Sequence, residues 1–131
     1  MKYNRNQDSS FWKLARSFLH EYMPIVRNLS DKTVESYKIS IKLYLTFIND
    51  EKNITNDKIT FDIFTRANMK DYIVWLKNKN ASAKTINLRM TALKSFLKYC
   101  SEEDFELRVF YNNACTINCL LYTSPSPRDC S

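Results

Sequence analysis

Not one residue of this chain is glycine. Glycine accepts positive φ and close backbone approach at little cost, and an average chain carries about 7% of it. Its absence removes the P-loop, the dinucleotide-binding fingerprint and the type I′ hairpin turn together. Nucleotide-binding α/β folds are therefore disfavoured. An AT-rich genome would produce the same bias, together with abundant Lys, Asn, Ile and Tyr. At 131 residues the chain supports one domain with a modest core.

Apolar residues recur at helical spacing along most of the length, and no segment reads convincingly as a strand. Phe11, Leu14, Ala15, Phe18, Leu19 and Tyr22 predict a first helix over Ser9 to Met23, closed by Pro24 or kinked there and continuing to Arg27. A second helix starts from a Ser30 cap and runs to about Asn49, with Val34, Tyr37, Ile41, Tyr44, Leu45 and Ile48 on one face. Residues 50–60 turn polar and read as a loop. Thr65 caps a third helix ending near Asn78, and Met69, Tyr72, Ile73 and Leu76 form its apolar face. A fourth, from Ser82 to about Cys100, buries Ile86, Met90, Leu93 and Leu97. A shorter fifth helix follows Ser101, with Glu102, Glu103 and Asp104 at its N-terminus and Phe105, Leu107 and Phe110 as contacts.

The second and fourth helices echo each other. Ser30-Asp31-Lys32-Thr33-Val34 and Ser82-Ala83-Lys84-Thr85-Ile86 stand at one fixed offset, at which Ile41 also matches Leu93, Tyr44 matches Phe96 and Leu45 matches Leu97. Each phrase offers a Ser to cap first-turn N–H groups and sets a Lys and a Thr beside a positive helix end, an arrangement suited to phosphate.

Charge is unevenly spread. From Tyr72 to Ser101 the chain carries Lys77, Lys79, Lys84, Arg89, Lys94 and Lys98 with no acid among them, a local excess equal to the net charge of +6. On a wheel with Ile86 at zero, Lys84, Asn87, Thr91, Lys94 and Lys98 gather between about 80° and 160°. This stripe mixes cations for phosphates with an amide and a hydroxyl for base edges or sugar-phosphate oxygens. Arg89 sits nearer the core edge and is able to snorkel outward. The second helix offers a weaker counterpart in Lys32, Thr33, Ser36, Ser40 and Lys42, because Glu35, Ile39 and Leu43 share that side; Ile39 and Leu43 are expected to pack on another helix.

No apolar run is long enough to cross a bilayer and the start is polar, so a cytoplasmic protein without membrane attachment is expected. Cys100, Cys115, Cys119 and Cys130 form no C-x-x-C pair and His20 lies far from them, so neither a metal site nor a disulfide framework is expected. No catalytic residue, cofactor or small-molecule substrate is assigned.

Together these phrases resemble the N-terminal core-binding domain of tyrosine recombinases, the phage-integrase family, a SAM-like helical domain. The resemblance rests on Leu29-Ser30-Asp31-Lys32-Thr33-Val34 with Tyr37, on Met69-Lys70-Asp71-Tyr72-Ile73-Val74-Trp75-Leu76, and on Ser82 through Ile86 followed by Phe96-Leu97-Lys98-Tyr99. It implies an all-α, orthogonal bundle of four to five helices that clamps duplex DNA with its second and fourth helices during integration and recombination. It also implies other recombinase protomers as partners of the full-length protein. The family's catalytic Arg, Lys, His-x-x-Arg and Tyr belong to a second, C-terminal domain. They are not recognised here, since His20 is followed by Glu21, Tyr22 and Met23.

The expected organisation is a disordered stretch over 1–8, the DNA-binding domain over 9–113 and the start of a linker over 114–118. The segment from Cys119 to Asp129 reads as the translation of a transposon-based sequencing adapter, so 119–131 is expected to be an adapter-derived tail and the gene truncated before its catalytic half. The alternatives are a helical DNA-binding regulator unrelated to recombination and a helical protein-interaction module.

Overall fold

The computed structural model describes residues 9–117, and the expected disordered start, the last linker residue and the adapter-like tail lie outside them. The described residues form an all-α bundle. Its elements are α1 (Ser9–Ser17), a π-helical continuation (Phe18–Val26), α2 (Asp31–Lys52), α3 (Arg66–Asn78), α4 (Ala83–Glu103) and α5 (Arg108–Cys115), with 3-10 turns at Asn56–Lys58, Phe61–Ile63 and Phe105–Leu107. No helix among the described residues is long and apolar enough to cross a membrane.

The caps form where the sequence places them. Ser30, Thr65 and Ser82 adopt extended backbone, and their hydroxyls accept the N–H of the residue three places on, at 3.3, 3.0 and 3.1 Å. Helix exits without glycine fall to asparagine: Asn28, Asn53 and Asn80 carry the positive φ values of 53°, 58° and 68°. Asparagine is the side chain that best tolerates this region after glycine. At the end of α3, Asn80 N–H bonds the Lys77 carbonyl at 2.9 Å and Ala81 N–H reaches back to Leu76 at 3.1 Å, a Schellman closure built on Asn.

Pro24 does not close the first helix. In an α-helix its ring would collide with the carbonyl four residues back. The chain instead widens into π turns from Phe18, and Arg27 N–H bonds the Tyr22 carbonyl five residues back at 2.8 Å. α2 extends beyond Asn49 to Lys52, and α4 beyond Cys100 to Glu103. Glu102 and Glu103 therefore end α4, and Asp104 alone opens the next turn, its carboxylate accepting from Glu106 N–H at 3.0 Å. Phe105 is 74% exposed and makes no core contact of the kind expected; the Arg108 guanidinium lies over its ring at 5.2 Å. The packed region also continues past residue 113, because Ala114 and Ile117 are buried and Arg66 Nε bonds Thr116 Oγ1 at 2.9 Å.

α4 packs on α2, α3 and α5. Its Phe96 faces Phe11 at 5.8 Å and Phe18 at 5.3 Å, in edge-to-face contact. The stretch read as a polar loop ends inside this core: Ile59, Thr60, Phe61, Ile63 and Phe64 are all buried. Phe64 stacks on Tyr44 with centroids 5.1 Å apart, and the Tyr44 hydroxyl donates to the Ile63 carbonyl at 2.7 Å. The repeated stripe is buried as well, Ile41 with Leu93, Tyr44 with Phe96 and Leu45 with Leu97.

Candidate nucleic-acid interface

The two Ser-led helix ends are built alike. In each, the Ser hydroxyl takes the Thr N–H and also pairs with the Thr hydroxyl, at 3.1 Å in both Ser30···Thr33 and Ser82→Thr85. The side chains of Thr33 and Thr85 are thus half-buried members of the caps. The first turns differ in charge. α2 carries Asp31 there, whereas α4 has no acid in its first turn. Both dipoles favour an anion, but Asp31 already supplies one at the α2 end.

Along α4 the wheel translates into surface. Lys84, Thr91 and Lys98 are exposed, and Asn87 and Lys94 are half-buried. Leu88, 46% exposed, borders the stripe on one side. The buried arc is wider than Ile86, Met90, Leu93 and Leu97, since Ala92, Phe96, Tyr99 and Cys100 complete it. Asn87 Nδ2 lies buried with no hydrogen-bond partner, an amide donor that the fold itself leaves unsatisfied.

The α2 set divides. Lys32 and Lys42 are exposed, and Ser36 is half-buried with its carbonyl accepting from Ser40 at 2.9 Å. Ser40 leaves the candidate set: it is fully buried, and it receives Arg89 Nη1 at 3.0 Å. The cause is the close approach of α2 and α4, which turns the small Ser40 side chain inward to meet Arg89. Ile39 is 42% exposed instead of packed on another helix, while Leu43 rests against the core. Arg89 does not snorkel to solvent but bridges the helices, a contact that wheels drawn one helix at a time do not register.

Titratable groups in the core are held neutral. Burial pushes the Tyr44 phenol well above its ordinary range, with neighbouring Tyr72 and Asp71 adding to the rise. Burial likewise raises Tyr72, and the nearby Arg89 charge partly offsets it. Burial lifts the Cys100 thiol too, so this cysteine is a packing group. A cleft of about 510 Å³ opens near the ends of α2 and α3, lined by Phe47, Lys52, Asp71, Trp75 and Lys79 among others. Three of its charges are engaged within the chain: Lys52 pairs with Asp71 at 2.8 Å, and Lys79 lies over the Trp75 ring at 4.6 Å. Among the described residues no His, Cys, Asp and Glu side chains gather into a metal-binding group.

Residues 16–104 match the family described as phage integrase, N-terminal SAM-like domain. Over 87 residues the chain is 32% identical to the tyrosine recombinase XerD of Oceanobacillus iheyensis, a stretch that covers 66% of this chain and 27% of the relative. It is 26% identical over 88 residues to the tyrosine recombinase XerC of Pediococcus pentosaceus, covering 67% and 28%. It is 23% identical over 93 residues to the XerC of Chlamydia caviae, covering 61% and 30%. The chain thus spans under a third of the length of these relatives. No solved structure matches the chain significantly.

Proposed function

Because the chain belongs to the phage-integrase family through its N-terminal SAM-like domain, we propose that it is the DNA-gripping module of a site-specific tyrosine recombinase. The observation that carries this reading is the acid-free stripe of α4 from Lys84 to Lys98, on which Lys84, Thr91 and Lys98 are exposed. The lysines neutralise phosphates and release counterions, which supplies sequence-independent affinity. Thr91 stands exposed among them as a group able to contact base edges or sugar-phosphate oxygens, and Asn87, whose Nδ2 is buried, joins it only by turning its amide outward. The α4 N-terminus, free of acid in its first turn, adds a partial positive charge at the head of the stripe. On α2, Lys32 with the Ser30 cap forms a second and weaker grip, and Ser36 borders it.

In this reading the module clamps duplex DNA during integration and recombination. Strand cleavage falls to a catalytic region carrying the Arg, Lys, His-x-x-Arg and Tyr of the family, and other protomers join the complete protein on its site. The segment 119–131 is then adapter-derived sequence, which reads from the native locus beyond Asn118 would replace.

The test is a duplex titration across a salt series. Binding should weaken steeply with salt, and replacing Lys84 and Lys94 together by Ala should lower both the affinity and the slope of log K against log salt. An unchanged titration removes the stripe from the interface. Negligible binding at moderate salt favours a protein-interaction bundle with solvated lysines.

A further inference from the structure

Arg89 differs from the other cations of α4. Lys84 and Lys98 face solvent, whereas Arg89 is half-buried and its Nη1 donates to Ser40 Oγ on α2 at 3.0 Å. Ser40, fully buried, donates its own hydroxyl hydrogen bond to the Ser36 carbonyl at 2.9 Å. The three groups make a line from α4 into the backbone of α2. Among the described residues no carboxylate bonds this guanidinium, and its Nε lies buried with no hydrogen-bond partner. Its charge is also felt at Tyr72 of α3.

An apolar side chain would fill such a place at lower cost. A half-buried cation gives up hydration, and one hydroxyl does not restore it. What a guanidinium adds is direction, because its planar fork holds an acceptor at a fixed angle. The two helices it joins are those that carry Lys32 and the stripe from Lys84 to Lys98.

We infer that the Arg89–Ser40 hydrogen bond sets the placement of α2 relative to α4 so that both meet one duplex. Arg89 is then a positioning residue for DNA binding, not a phosphate contact. This rests on the DNA-gripping reading above. It also separates two ways in which an arginine can matter, since a positioning residue acts through Lys32 whereas a contact residue acts beside it.

The experiment measures duplex affinity and salt slope for the whole chain and for its Lys32→Ala, Ser40→Ala, Arg89→Met, Lys32→Ala/Ser40→Ala and Lys32→Ala/Arg89→Met variants. All measurements are made well below each variant's melting transition. Each single change is expected to weaken binding about three- to tenfold, and each double variant to bind no worse than its weaker single parent. The slope should fall once, by about 0.9, in singles and doubles alike, because one phosphate contact is lost by either route. Ser40→Ala keeps the guanidinium and its charge, so it carries the test even where Arg89→Met does not fold. Fold-changes that multiply, a slope that falls twice in the Arg89→Met double, or Ser40→Ala binding like the unaltered chain would each overturn the inference. Absence of salt-dependent binding by the unaltered chain overturns the DNA reading itself, and the positioning role with it.

Discussion

The N-termini of α2 and α4 share a Ser cap, a Lys two residues on and a Thr that closes the first turn, with cap bonds of 3.3 and 3.1 Å. Their buried stripes match at the same offset, down to Tyr44 against Phe96. Beyond that the helices part. Asp31 follows the first cap and Ala83 the second; Glu35 and Ile39 break the α2 surface, while α4 presents Lys84, Thr91 and Lys98 without an acid until Glu102. A repeated phrase therefore specifies the local hydrogen bonds and the burial register. The charge between the repeated positions decides what each helix can hold.

The largest effect should appear where the two helices look most alike. Phe96→Ala removes a ring packed on Phe11, Phe18 and Phe64 and should cost about 3–5 kcal/mol in chemical denaturation. At the matching position, Tyr44→Phe keeps the ring stacked on Phe64 and loses only a hydroxyl. Its acceptor, the Ile63 carbonyl, keeps a second donor in Asn68 Nδ2 at 3.1 Å, so the cost should be nearer 1 kcal/mol. A larger loss for Tyr44→Phe would show that the hydroxyl organises the 59–64 segment beyond that one bond.

Next come the surfaces. Lys84→Ala with Lys94→Ala should reduce the salt slope of duplex binding by about 1.8, against about 0.9 for Lys32→Ala. That is one contact for each lysine removed; a fall at Lys32 well below 0.9 would leave α2 only a partial grip, and no change there would reduce the interface to α4. Both outcomes are read from one titration series.

The helix starts at Ser30, Thr65 and Ser82, the apolar stripes and the fourth-helix surface were legible because each is written within one helix, where period and cap chemistry act locally. Two things were not. The 59–64 segment buries Phe61, Ile63 and Phe64 from 3-10 turns, a geometry without the 3.6-residue period that marks a helix. Ser40 looks like a surface residue on its own wheel, and Arg89 like a core-edge residue free to reach solvent; the bond that buries the one and holds the other forms only when α2 and α4 pack together, which no local pattern records. Pro24 shows the same limit in the backbone: its ring rules out a regular α turn, but the sequence does not say that π turns will absorb it.

The caps themselves should behave identically. Ser30→Ala and Ser82→Ala are each expected to lower stability by about 1 kcal/mol, since each frees one first-turn N–H from a serine acceptor in the same geometry. A clear inequality in thermal unfolding would mean that one helix end is held by its surroundings and not by its cap.

The smallest effect is the most discriminating, because it exchanges the one first-turn difference in charge between the two ends. Asp31→Ala removes an acid that stabilises the α2 dipole, and Ala83→Asp installs one at α4; the expected changes are about 0.3–1 kcal/mol of stability, lost in the first and gained in the second. Duplex affinity should move the other way in both. A phosphate approaching the α2 end no longer meets a carboxylate, so Asp31→Ala should bind a few-fold tighter at low salt, while Ala83→Asp should bind more weakly by a similar factor. The opposition of sign is the decisive feature, since a general loss of folding would depress stability and affinity together. Affinity that ignores Asp31→Ala but falls with Ala83→Asp would leave α4 as the end that meets a phosphate and α2 as its packing partner.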